Sequence, residues 1–307
     1  MIRFLAGFLM LLMLLSIAGA FYQSSSESSD LATFPPPGQF VDVGGHRLHL
    51  VCQGSGGPTV VLESGLGNDV NFWSEVIPPV AKFTRVCAYD RAGLGWSDAG
   101  PMPRSAPRIV DELSILLKNS GEAPPYILAG HSNGGPYVRL YASSYPDRVA
   151  GLVLVDPNPE TKPGCSPLPQ PARTIYGVLV TMAPLGAPRL ALPMLFPLDN
   201  SPLKPAGRKA HGALRARTSA LRAVWSETKQ TCDMLDAVRA ASAPAIPTIV
   251  LVDQPDGDSA QWQREMADQI GAQEVIVADN TTHWIQLDRP ELVVDSIRRL
   301  VERAAPP

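Results

Sequence analysis

Twenty residues, Tyr126 to Tyr145, constrain this chain more than any others. They open with a short apolar run, Tyr126-Ile-Leu-Ala, that suits a buried strand, and close with Val138, Leu140, Tyr141 and Ala142 at helical spacing. Between the two lies Gly130-His131-Ser132-Asn133-Gly134. A strand that turns at once into a helix forces the corner residue into a strained backbone conformation. The glycines two before and two after the corner let strand and helix approach closely. The corner side chain then stands clear of its neighbours, above a helix N-terminus where developing negative charge is favoured. A plain glycine-rich turn could carry the same pentapeptide. The strand before it, the helix after it and a third glycine, Gly135, favour the strained corner. Ser132 is the candidate nucleophile.

Further apolar runs supply the rest of a sheet. Gln39 to Val43, the Gly44-Gly45 turn and His46 to Cys52 read as a hairpin, with His46 and His49 as strand residues rather than ligands. Thr59–Glu63, Thr84–Tyr89, Val149–Val155, Thr248–Val252 and Glu274–Ala278 are further strands. Continuous Val/Ile/Leu runs separated by helical stretches such as Ile109 to Leu117 predict an α/β fold, with a mostly parallel sheet covered on both faces. Asp288-Arg-Pro-Glu291 reads as an N-cap followed by an amphipathic helix through Glu302. The segment 158–246 interrupts the rhythm. Its first half is apolar and irregular, its second half, Ala206 to Ala240, helical in composition, and it reads as a lid inserted between 38–157 and 247–307.

Residues 1–22 form a targeting segment: Arg3 is basic, and Phe4 to Tyr22 carries no charge. Ala18-Gly19-Ala20 offers a signal-peptidase site, so one reading is a cleaved secretory signal. The other is an uncleaved anchor, since nineteen residues at about 1.5 Å each just span a hydrocarbon core. Both put the folded part outside the cytoplasm, secreted, periplasmic or membrane-anchored. Residues 23–37, Ser-rich and then Pro-rich, read as a flexible tether. Export tolerates disulfides, and the economical pairing of the four cysteines is Cys52–Cys87 with Cys165–Cys232. With 18 % charged residues and a net charge of −3, nucleic acid is excluded as a partner class.

From Val41 to Val301 the sequence resembles the α/β-hydrolase superfamily. Ser64-Gly65 stands where that family usually shows His-Gly, and Tyr89-Asp-Arg-Ala-Gly-Leu-Gly-Trp-Ser97 resembles its D-R-x-G-x-G-x-S turn. Gly130 to Gly134 is similar to its nucleophile elbow. Thr282-His283-Trp284 with Asp288-Arg-Pro290 is similar to its terminal histidine loop. The resemblance implies acyl transfer with Ser132 as nucleophile and His283 as base, and with the backbone N–H groups of Leu66 and Asn133 as the oxyanion hole. It leaves the carboxylate open. Asp256 has the family's registry after the Thr248–Val252 strand, Asp156 ends the neighbouring strand, and Asp253 and Asp258 lie close by. His131 is expected to pack under the elbow and His211 to lie in the lid. Trp73 and Trp96 are expected to pack structurally.

A serine at the elbow speaks against the epoxide-hydrolase and haloalkane-dehalogenase branches, which use aspartate there. The expected activity is that of a serine carboxylesterase or lipase-like enzyme acting on a small, hydrophobic ester without metal or organic cofactor, with residues 4–22 as a route to membrane association. One alternative is an exopeptidase of the proline-iminopeptidase kind, in which a lid carboxylate such as Glu227 or Asp233 would bind a free α-amino group. Another is a catalytically inactive hydrolase fold kept for binding.

Overall fold

The Val/Ile/Leu runs become eight strands of one sheet: β1 (Gln39–Asp42), β2 (Arg47–Gln53), β3 (Thr59–Glu63), β4 (Val86–Tyr89), β5 (Tyr126–His131), β6 (Val149–Val155), β7 (Thr248–Val252) and β8 (Glu274–Val277). A computed structural model of the chain describes residues 2–165, 169–198, 201–243, 245–253 and 258–304. The strand order is β1-β2-β4-β3-β5-β6-β7-β8. β1–β2 and β2–β4 pair antiparallel, and every other pair is parallel. Gly44 and Gly45 take φ of 106° and 98° in the tight turn between β1 and β2, a region closed to most residues with a side chain.

The strand residues divide strictly by face. Val60, Leu62, Ile127, Ala129, Val153, Val155, Ile249 and Leu251 pack on one side, with Ile77 and Val80 of α2 (Ile77–Val80) and Val293, Ile297 and Leu300 of α12 (Pro290–Ala304). Val61, Leu128, Leu152, Leu154, Val250 and Val252 pack on the other. There they meet Val110, Leu113 and Leu117 of α3 (Ala106–Asn119), Val138 and Tyr141 of α4 (Gly134–Ser144), and Met266 of α10 (Asp258–Gln269). Each Val, Leu, Ile or Met among these, fully buried, contributes about 1.5–3 kcal/mol. Continuous apolar sequence in β3 and β5–β7 thus follows from both faces being covered.

Among the described residues, five α-helices separate β6 from β7: α5 (Ala172–Met182), α6 (Ala187–Leu195), α7 (Pro205–Leu214), α8 (Thr218–Lys229) and α9 (Thr231–Ala240). The first half of this insertion is helical rather than irregular. Pro184, Gly186 and Pro188 punctuate it at the turn between α5 and α6, and this punctuation disguises two helices with a shared buried cluster of Leu179, Ala183 and Leu192. A short helix, α11 (Ile285–Asp288), precedes α12.

The N-terminal segment also departs from expectation. α1 (Ile2–Thr33) runs unbroken through most of the proposed tether, because residues 23–33 find partners on the insertion. Gln23, 3 % exposed, donates to the Ala216 carbonyl, Glu27 accepts from the Thr218 N–H, and Asp30 pairs with Arg189. Those bonds supply what a Ser-rich sequence lacks in intrinsic helix preference. Arg3–Thr33 includes a stretch long and apolar enough to cross a membrane. The two disulfides join Cys52 to Cys87, directly opposite each other on β2 and β4, and Cys165 to Cys232 within the insertion. Disulfides and an apolar leading helix fit export or membrane anchoring.

Candidate active site

The corner between β5 and α4 is strained, as its sequence requires: Ser132 has φ 54°. The flanking glycines are obligatory. A Cβ on Gly130 would sit 2.5 Å from the Gly134 carbonyl oxygen, and one on Gly134 would sit 2.5 Å from that of Glu63. Ser132 is fixed from both sides, its N–H donating to Val155 O at 3.1 Å and its carbonyl accepting from the N–H groups of Gly135 and Asn158.

Asp156 is the second strained residue, with φ 42° at the end of β6. Its Oδ2 is hydrogen-bonded to Nδ1 of His283, and its Oδ1 accepts from Gln263 Nε2 at 2.6 Å. Asp156 is buried, and the His283 side chain is 46 % exposed. Among the described residues, the carboxylate paired with His283 is therefore the alternative acid, Asp156. Asp256 lies outside the described residues. Asp253 sits nearby without bonding the imidazole, and burial followed by the charge of Asp156 pushes its carboxyl above the usual range. Asp258 is exposed at the start of α10.

The loop carrying His283 is braced twice. Asp288 Oδ2 accepts from both the N–H and the hydroxyl of Thr282, at 2.7 and 2.6 Å. From below, His131 Nε2 donates to the His283 carbonyl at 2.8 Å, which fixes its proton on Nε2. His131 packs under the turn as its position implied. Burial, and next the neighbouring His283, hold its pKa down to about 3, so it is neutral at any working pH. This brace, and Gln263 on Asp156, had no motif to announce them. Each depends on two segments more than a hundred residues apart.

Leu66 and Asn133 line one cavity of about 230 Å³, together with Asn158, Lys162, Cys165, Thr231 and Leu235. Among the described residues neither backbone N–H has an acceptor within the protein. The loop that presents Leu66 is held by Arg91, which donates to the carbonyls of Ser64 (2.6 Å) and Gly65 (2.9 Å). The same guanidinium bonds Glu63 at the end of β3 and both carboxylate oxygens of Glu227 on α8, all three side chains being almost fully buried. Two carboxylates sharing one cation cannot both be fully compensated. Burial outweighs Arg91 and Tyr89 and raises the Glu63 pKa, and Arg91 stays charged. Of the two carboxylates that the exopeptidase alternative could use for an α-amino group, Glu227 is thus already engaged and Asp233 is exposed on α9.

Ser64 takes a structural part, accepting from Trp73 Nε1 at 3.1 Å. Trp73 and Trp96 are both buried, the latter donating to the Phe34 carbonyl. His211 of α7 pairs with the buried Asp69 at 2.9 Å and packs edge-on against Phe72, which also meets Trp284 next to His283. Burial alone would raise the Asp69 pKa, but His211 and the Asn71 bonds hold it below the usual value. His49, in β2, is fully buried against Asp90.

Comparison with known proteins agrees with this geometry. Residues 60–296 match the model of the alpha/beta hydrolase family. The uncharacterized protein YqjL of Bacillus subtilis is 35 % identical over 112 residues, 36 % of this chain and 44 % of that protein. The chain spans under half the length of such curated relatives. Among solved structures, a thermophilic esterase from Thermogutta terrifontis superposes with a TM-score of 0.68 at 23 % identity, covering 86 % of this chain and 98 % of that one. An epoxide hydrolase, CorEH, gives 0.69 at 22 %, covering 87 % and 99 %. Esterase and epoxide hydrolase chemistries share this fold, so at such identities the likeness speaks for architecture alone. The sheet order, the strained serine corner and the family match over three-quarters of its length together establish that this chain belongs to the alpha/beta hydrolase family.

Proposed function

We propose that the protein is a serine hydrolase that cleaves carboxylic esters through an acyl-enzyme. The observation that carries this reading is the Asp156–His283 pair. A carboxylate on Nδ1 holds the tautomer that leaves Nε2 to take the Ser132 proton. The serine oxygen then bonds to the ester carbonyl carbon, and the carbonyl oxygen gathers the charge. The free N–H groups of Leu66 and Asn133 receive that charge, each such donor being worth about 10²–10³ in rate. His283 returns the proton to the departing alcohol oxygen as the carbon–oxygen bond breaks. Water, deprotonated by the same imidazole, releases the acid. The five-helix insertion serves as the lid over this site.

An exopeptidase of the proline-iminopeptidase kind is disfavoured because Arg91 already occupies Glu227 with two hydrogen bonds. The test is a fluorophosphonate probe on the full-length protein, read by mass spectrometry. Covalent labelling at Ser132, abolished in Ser132→Ala and accompanied by p-nitrophenyl ester turnover, is the expected result. An unlabelled Ser132 in folded protein would sink the reading and leave a binding scaffold in its place.

A further inference from the structure

The turn between α5 and α6 packs directly against α1. A Cβ on Gly19 would fall 2.7 Å from the Leu185 carbonyl oxygen, and one on Gly186 would fall 2.7 Å from the Tyr22 ring. Gly19 to Tyr22 is where the uncharged run of α1 ends and the charged stretch containing Glu27 and Asp30 begins. The tip of the α5–α6 hairpin is therefore held at the level where a spanning helix would leave the hydrocarbon. Glycine at residue 19 is explained here by close packing on the insertion, independently of any signal-peptidase site.

The hairpin is apolar on the outside as well as the inside. Leu179, Ala183 and Leu192 face inward, whereas Ile175, Val178 and Met182 on α5 and Leu190 and Met194 on α6 are exposed, Met194 by 83 %. α6 has one charged residue, Arg189, and it is turned inward onto Asp30 and Gln23. The charge of α5 is Arg173, at the end away from the tip. A helix pair apolar on both faces needs a second apolar neighbour. A cavity of about 240 Å³ leads inward from Tyr176, Leu192 and Phe196 of this hairpin to Leu66 and Gly67 of the oxyanion loop.

We propose that α1 remains attached as a membrane anchor, and that the α5–α6 hairpin lies in the surface of that same bilayer. The Tyr176–Leu192–Phe196 cavity is then a portal through which an amphiphilic ester passes from the lipid leaflet to Ser132. The substrate assignment rests on the ester-hydrolase reading; the placement of the hairpin does not. Continuity with the anchor selects lipid over other occupants, because the exposed side chains adjoin the one helix long enough to cross a membrane among the described residues.

Two measurements on the full-length protein in phosphatidylcholine vesicles test this. In the first, Met194→Cys carries an NBD fluorophore. Blue-shifted emission quenched by doxyl-phosphatidylcholine is expected, at any protein-to-lipid ratio. Water-like emission overturns the proposal, and so does shielding that depends on protein concentration and ignores the doxyl lipid, which would identify a second copy as the occupant. In the second, V178D/L190D/M194D places charge on the exposed face, at residues that do not line the cavity. Turnover of a long-chain ester carried in the vesicles should fall by about tenfold or more, while p-nitrophenyl acetate turnover in solution stays within about twofold. Equal losses on both substrates, or none on the vesicle ester, overturn the portal. If the ester-hydrolase reading itself failed, neither substrate would be turned over by the unsubstituted protein and Ser132 would resist fluorophosphonate. The NBD signal would still locate the hairpin.

Discussion

The sheet half of the molecule and the helical insertion bury apolar side chains to the same end but with opposite surfaces. Around the sheet, apolar residues are inside, and charges at the strand ends meet partners: Asp156 with His283, Asp90 with His49, Arg91 with Glu63. The front of the insertion keeps Val178, Leu190 and Met194 outside and turns the charge of α6, Arg189, inward. At the back, α8 is welded to the core by Arg91–Glu227 and the Arg104 N–H on Ser226, and α9 packs Met234 and Leu235 with Ile109 and Tyr137. The difference teaches that one half of the insertion is built as an extension of the core and the other as a surface.

The largest expected effect belongs to the core side. Asp156→Asn should leave the fold intact and reduce kcat by about 10³–10⁴, because the wrong tautomer then faces the serine. A fully active variant would break the assignment and return the acid to Asp256. Arg91→Met removes the cation shared by the two regions and strands the Glu63 and Glu227 carboxyls. A loss of about 3–5 kcal/mol in denaturant titrations is expected, with a disproportionate loss of kcat as the Leu66 loop loosens. Unchanged stability would show that the weld is nominal. Removing Cys165–Cys232, which closes 67 residues, should cost up to about 4 kcal/mol by loop entropy. That cost should appear as early, reductant-sensitive melting of the insertion and not of the sheet.

The smallest effect is in pH. The His131 pKa is lowered to about 3 in the folded protein from an ordinary value near 6.5. Between those values the unfolded chain binds the extra proton, so stability falls as pH drops below about 6.5, by up to about 1.4 kcal/mol per unit. Chemical denaturation of His131→Phe across that window should show a correspondingly flatter slope. An identical slope would mean that His131 is hydrated and its brace on the His283 loop is loose.

How much of this was legible in sequence varied with the range of the interactions. Ser132, Gly130 and Gly134 were readable because the corner needs them locally, and the two cysteine pairs because their neighbours placed them in separate regions. The strands were readable because both faces are buried, so periodicity and composition agreed. The choice between Asp156 and Asp256 was not readable, since both follow strands whose ends converge on one imidazole. The helicity of 23–33 was hidden as well, because its causes, Ala216, Thr218 and Arg189, are some 160–195 residues away. The Gln263 bond to Asp156 and the His131 bond to the His283 carbonyl fall in the same class.

Arg91 has one more implication. A guanidinium committed at once to the Ser64–Leu66 loop and to α8 makes any outward displacement of α8 equivalent to stranding buried ionic groups without their partners. The rear of the insertion is therefore tied to the sheet by buried ionic bonds that the α5–α6 side lacks. The rear is anchored to the sheet through α8 and the front to the leading helix through the Pro- and Gly-bearing turn at 184–188, so the two halves of the insertion answer to different parts of the chain.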